Sequence, residues 1–243
     1  MTTNMLFSSV GDNTNFDTLW INENMEYDIY IIYYGDNDDI FNKYKNKVKY
    51  AEKRKGSKFQ NFKYFYNTYP DIINKYERFF ILDDDIIITV DDINKMFNMS
   101  IKYNLKICSP SLNPKCKHSF KITCNVPDRI LTYTNYVEVG YVLLTLDAIK
   151  KFIHLQDDSL IGWGIDVLYM WCNGLDDTKS YAIIHDVCCF NPYDGEKPGK
   201  IRELSLLDGW QYRAQLWKKY ATKINCPPGY PLIEHSSIMK KLI

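Results

Sequence analysis

The sequence predicts an α/β fold, with a mostly parallel central sheet flanked by helices, and two observations predict it. Apolar residues come in short continuous runs rich in β-branched and aromatic side chains, and these runs alternate with segments whose apolar residues fall at helical spacing. A strand covered on both faces reads as an unbroken apolar run, whereas a strand with one wet face alternates.

Taken in order, MLFSSVG (5–11) is a first strand, and NFDTLW starts a short helix behind it. YDIYIIYYGD (27–36) is a second, wholly apolar strand ending on turn formers. KYKNKVKYAEKRKGSK (43–58) reads as a basic, aromatic helical region, either a solvated helix face or a patch that attracts phosphate or an anionic acceptor. Residues 79–82 form the next strand, and DDINKMFNMSIKYN follows as a helix that Asp91 or Asp92 would cap. KICSPSL (106–112) and YVEVGYVLLTL (136–146) are strands, and LDAIKKFIHL is a helix. LIGWGIDVLYMWCNG (160–174) opens on a Gly-Trp-Gly turn and runs into an apolar helix. YAIIHDV (181–187) is a last strand ending in His185 and Asp186. The glycine- and proline-bearing loop NPYDGEKPGK (191–200) reads as a lid, and LLDGWQYRAQLWKKYATK closes the chain as a helix.

With no linker and no internal repeat, the 243 residues read as one domain, and 46% hydrophobic with 25% charged residues is the balance of a folded protein. A formal net charge of zero gives no global basic field, which argues against nucleic acid as the partner. There is no run of 18 apolar residues for a transmembrane segment, and MTTNMLFSSVGDNTN turns polar too soon for a signal peptide, so the sequence places the protein in the cytoplasm. Seven cysteines, an odd number, suggest reduced thiols; Cys108, Cys116, His118 and Cys124 cluster without the paired spacing of a zinc site.

Asp83, Asp84 and Asp85 stand directly between two apolar runs, Phe79-Phe80-Ile81-Leu82 and Ile86-Ile87-Ile88. Carboxylates this close raise one another's pKa unless a positive charge is present, and Mg²⁺ or Mn²⁺, which take hard oxygen ligands, would supply it. A solvated turn leading into the following helix is the alternative. Parallel sheets bind ligands outside the carboxyl ends of their strands. Gly11, Asp36 and the three aspartates all lie at such ends and should converge on one crevice.

Three features recur in chain order: an Asp-x-Asp after an apolar strand, Gly-Trp-Gly-x-Asp opening a helix, and a histidine late in a strand before a loop. This order resembles the GT-A class of nucleotide-sugar glycosyltransferases. More closely, the chain is similar to domain of unknown function family 707, whose members are taken for glycosyltransferases. Pro70-Asp71-Ile72 and Ser109-Pro110-Ser111-Leu112-Asn113-Pro114 match that family's segments, and Leu82-Asp83-Asp84-Asp85 stands where it shows Trp-Asp-Glu-Asp. The segment 115–135 is shorter than in many relatives.

The resemblance implies a single GT-A-like domain, with a Rossmann-like nucleotide-sugar half over about 1–114 and an acceptor half over about 115–243. It implies Mn²⁺- or Mg²⁺-dependent transfer, with inversion, from a UDP- or GDP-sugar to a carbohydrate or other hydroxyl acceptor. Asp83, Asp85 and His185 would hold the metal. Ser9, Val10, Gly11, Asp36, Asp83 and Asp84 would meet the donor's base and ribose, and Lys58 its diphosphate. Asp166 would be the general base, with Trp163 and Gly164 on the acceptor side. Two alternatives stay open. A haloacid-dehalogenase-like phosphatase also uses paired aspartates after an apolar strand, although Ile87 stands where it favours Thr or Val. A non-catalytic carbohydrate- or nucleotide-binding module would also use the 15% aromatic content.

Overall fold

The computed structural model describes residues 2–193 and 209–241; most of the expected lid loop, from 194 onward, lies outside the described residues. The strands are β1 (Asn4–Val10), β2 (Asp28–Tyr33), β3 (Tyr50–Lys53), β4 (Arg78–Asp83), β5 (Ile107–Leu112), β6 (Arg129–Thr134), β7 (Tyr141–Thr145), β8 (Tyr181–Cys189) and β9 (Glu234–Met239). They form one nine-stranded sheet in the order β3-β2-β1-β4-β7-β5-β8-β6-β9. β3, β2, β1 and β4 are mutually parallel, as are β5 and β8, while β7 and β6 run against their neighbours. This is the mostly parallel sheet the apolar runs predict.

Helices cover both faces, and the side-chain period of two in the strands sorts the core accordingly. Met5 and Phe7 of β1 join one cluster and Leu6 and Val10 the other. On the first face lies α3, the third of the helices α1 (Phe16–Leu19), α2 (Asp38–Lys45) and α3 (Lys58–Thr68). Its Phe59, Phe62 and Phe65 sit three residues apart and are fully buried, with Phe62 edge-on to Phe7 at 5.1 Å and to Phe79 at 5.8 Å. Each such ring buries enough apolar surface for about 1.5–3 kcal/mol. After α4 (Pro70–Ile73), the opposite face is covered by α5 (Val90–Lys102) through Val90, Ile93, Met96 and Phe97. Below the first face follow α6 (Leu146–Phe152), α7 (Ile165–Asn173) and α8 (Trp210–Lys223).

Several expectations are corrected. The basic stretch 43–58 is not one helix: it spans the end of α2, the edge strand β3 and the start of α3. Its lysines do not form an open cationic face, because Lys43 and Lys47 pair with Asp17, Lys49 with Asp28, Lys53 with Asp38 and Lys55 with Asp36. The cap of α5 is Thr89, whose Oγ1 accepts from Asp92 N–H at 3.2 Å; Asp91 and Asp92 lie inside the first turn. The strand expected at 136–146 begins only at Tyr141, and β8 continues past His185 to Cys189. β6 and β9, whose sequences RILTYT and EHSSIM carry no apolar run, are additions to the expected set.

Candidate functional site

The aspartates after β4 diverge. Asp83, the last strand residue, turns its carboxylate toward α3, where Lys58 Nζ lies 3.0 Å from Oδ1. Lys58 is the first residue of α3, and the same Nζ donates to the carbonyls of Val139 at 2.7 Å and Gly140 at 3.0 Å. Asp83 N–H donates to Gly140 O at 2.8 Å, so the two residues together hold the loop that enters β7. Asp84 is buried and faces the other way, accepting at Oδ2 from Gly11 N–H (3.0 Å) and Tyr34 OH (2.9 Å). A Cβ at position 11 would come within 2.6 Å of the Tyr34 hydroxyl, so a larger residue there would push that phenol away from Asp84. The Asp85 carboxylate is buried, and its carbonyl accepts from Asn15 Nδ2 at 2.8 Å.

A cavity of about 480 Å³ opens beside Asp83 and Lys58. Its far wall is built by the Gly-Trp-Gly turn and α7. Gly162 and Gly164 take φ of +104° and +81°, left-handed conformations that a side chain strains. Gly164 also lies under Trp217 of α8, where a Cβ would be 2.1 Å from the indole. That tight turn places Asp166 in the first turn of α7, lining the cavity, with Tyr136 OH donating to Oδ2 at 2.9 Å and Val167 N–H donating to Oδ1 at 2.9 Å. Burial raises the Asp166 carboxyl from 3.8 to about 6, with the Glu138 charge adding to the rise and the two donors opposing it. Burial, with the nearby charges of Asp166 and Glu138, pushes the Tyr136 phenol far above its ordinary range, so it stays protonated and donates. Trp163 stands half-exposed at the rim and stacks on Trp210, ring centroids 5.8 Å apart.

The cavity brings together Asp83, Lys58, Trp163, Gly164 and Asp166. Ser9, Val10, Gly11, Asp36, Asp84, Asp85 and His185 are not part of its lining. Ser9 and Val10 are buried at the end of β1, with Ser9 Oγ accepting from Asn61 Nδ2 at 2.9 Å. Asp36 is exposed and paired with Lys55 at 3.0 Å.

His185 is the clearest departure from expectation. It lies inside β8 rather than at its end, with Nδ1 accepting from Val126 N–H at 3.2 Å and Nε2 2.9 Å from Thr132 Oγ1. Burial, reinforced by the Arg129 and Lys240 charges, lowers its pKa to about 4. Both nitrogens are engaged, so a metal ion at this ring would have to displace Val126 N–H or Thr132 Oγ1. Among the described residues, no group of three His, Cys, Asp or Glu is placed to hold a metal ion.

Among the cavity residues that escaped the sequence reading are Tyr136, Glu138 and Arg213. The first two sat within what reads as a strand, although Glu138 amid apolar residues just before Gly140 was a usable signal. Glu138 accepts from Ser119 Oγ and Tyr141 OH, each at 2.7 Å.

The family described as protein of unknown function (DUF707) matches residues 9–137. Among solved structures, S. aureus TarS 1-349 in complex with UDP-GlcNAc is similar with a TM-score of 0.56 at 8% identity, over 92% of this chain and 66% of that one. S. aureus TarS 1-349 in complex with UDP gives 0.51 at 9% identity, over 90% and 65%. S. aureus TarS gives 0.50 at 9% identity, over 92% and 40%. The chain thus spans two thirds or less of the length of these solved chains, and at such identities the likeness is one of fold. No curated protein matches the sequence.

Proposed function

The chain belongs to the DUF707 family of proteins of unknown function, and from that premise we propose that it is a glycosyltransferase, moving a sugar from a nucleoside-diphosphate sugar to a hydroxyl acceptor. The observation that carries this reading is one cavity with Asp83 and Lys58 at the carboxyl end of β4 on one wall and Asp166, raised to about 6, on the other. TarS, which shares the fold, was solved with UDP-GlcNAc and with UDP, which supports a nucleotide-sugar as donor.

The donor half is residues 1–114, with the nucleotide lying along the ends of β1 and β2 near Gly11 and Asp84. The acceptor half is the remainder. Asp83 brings a hard oxygen donor to the cavity, but it is engaged with Lys58, the Asp85 carboxylate is buried outside the cavity lining, and no group of three candidate ligands forms among the described residues, so a Mn²⁺ or Mg²⁺ held there would draw most of its shell from phosphate oxygens and water. His185 is not in that shell. When bound, the ion supplies Lewis-acid charge to the departing diphosphate.

The rest is the work of the chain's own side chains. The acceptor hydroxyl loses its proton to Asp166, whose pKa of about 6 leaves it ionised at neutral pH and basic enough to accept. Tyr136 fixes the orientation of that carboxylate. Trp163 offers a ring face for a sugar to stack on. Attack from the Asp166 wall, opposite the diphosphate, inverts the anomeric configuration in one displacement.

The test is product stereochemistry by NMR from a screened panel of UDP- and GDP-sugars: inversion is expected, and retention would remove the base role of Asp166. Turnover of a generic phosphomonoester, with no action on any nucleotide-sugar, would favour the phosphatase alternative instead.

A further inference from the structure

The sequence assigns the donor diphosphate to Lys58, but that ammonium group already has three acceptors for its three protons: Asp83 Oδ1 at 3.0 Å and the carbonyls of Val139 at 2.7 Å and Gly140 at 3.0 Å. It is a structural clamp, and the five lysines Lys43, Lys47, Lys49, Lys53 and Lys55 are paired with aspartates elsewhere. One cavity cation differs. Arg213, on the first turns of α8, lines the cavity, and its Nε is buried with no hydrogen-bond partner among the described residues. A buried guanidinium N–H left unmatched costs free energy, so its persistence at a cavity wall points to an anionic ligand that completes it.

Trp217 fixes how the helix that carries Arg213 docks. It lies one turn after Arg213 on the same helix face, is buried over Gly164, and donates Nε1–H to Pro228 O at 2.8 Å. The same contact shapes the turn that presents Asp166. α8 is therefore docked so that Arg213 and Asp166 share one cavity that also holds Asp83.

We propose that Arg213 is the diphosphate-binding residue of this chain, its planar fork meeting phosphate oxygens of the nucleoside-diphosphate donor. This rests on the donor reading above. Phosphate matches the fork bidentately, which an ammonium group cannot reproduce.

Calorimetric titration of wild type, Arg213→Ala and Arg213→Lys with UDP, GDP, inorganic pyrophosphate and uridine, all with Mg²⁺ present, tests it. The preferred nucleoside diphosphate and pyrophosphate should each bind Arg213→Ala about 10- to 100-fold more weakly. Arg213→Lys should fall between, and uridine should be unaffected. Circular dichroism confirms folding, and Arg213→Lys serves if the alanine variant is unfolded. Wild type that binds neither UDP nor GDP overturns the donor reading itself. Diphosphate affinity that both variants leave unchanged overturns only the role of Arg213, as does a loss confined to uridine.

Discussion

Asp166, half-buried on the cavity wall, and His185, buried inside β8, are both titratable, and their shifts act on stability in opposite directions. Asp166 rises from 3.8 to about 6, so the native state binds more protons than the unfolded chain between those values, and stability falls as pH rises through the window. Asp166→Asn keeps the size and the Tyr136 contact while removing the charge. It should therefore stabilise the protein at pH 7 by something on the order of 2 kcal/mol, a gain that disappears below pH 4. The same variant should lose roughly 10²- to 10⁴-fold in kcat, while the wild-type rate rises with pH to a plateau above about 6. Thermal melts at the two pH values and a pH–rate profile check both, and an unstabilised, active variant would contradict the assignment.

His185 falls from 6.5 to about 4, so the stability it contributes is complete above pH 6.5 and is lost as pH falls toward 4. His185→Gln should blunt acid unfolding in that range and leave the cation dependence of nucleotide binding intact. A changed cation requirement would restore His185 to the metal site. At this scale the sequence made Asp83 and Asp166 legible because each follows a recognisable structural break, the end of an apolar strand or a double-glycine turn. His185 misled because a strand end cannot be told from a strand interior when polar residues continue the ladder. Arg213 was hidden because an arginine on a basic helix carries no mark of which face it serves.

Among the elements, the turn before α7 bears the tightest constraint. Gly164→Ala meets both the left-handed φ of +81° and the Trp217 indole at 2.1 Å, whereas Gly162→Ala meets only its φ of +104°, with open space around it. The first should cost about 2–4 kcal/mol and the second about 1–2 kcal/mol. Chemical denaturation measures the difference, and equal costs would mean that Trp217 does not press on the turn. Helices α5 and α7 were readable from their apolar spacing, whereas α3 begins only where the helical region expected at 43–58 ends. β3 was not, because a four-residue edge strand of Tyr-Ala-Glu-Lys has the composition of a helix.

For the whole molecule, the parallel half was legible and the other half only in part. β2 and β4 are buried on both faces and therefore spell out nearly unbroken apolar runs, while β1, buried likewise, opens on Met5-Leu6-Phe7. β6 and β9 pair with each other across about a hundred residues, and Thr132 lies opposite Ser237; nothing local announces such a partner. The parallel strands still bring one strand-end carboxylate, Asp83, to the cavity. Chelation should weaken binding of the nucleoside diphosphate by roughly 10- to 100-fold in wild type. Asp85→Ala should bind weakly with or without Mg²⁺, and titrations unchanged by chelator would remove the cation from the mechanism. The most direct measurement of the central claim is release of nucleoside diphosphate from a panel of UDP- and GDP-sugars by wild type and Asp166→Asn. The account predicts that wild type turns over at least one donor, and that Asp166→Asn binds that donor equally well but releases its diphosphate roughly 10²- to 10⁴-fold more slowly. Turnover of none of the panel, or equal rates for the two proteins, would contradict it.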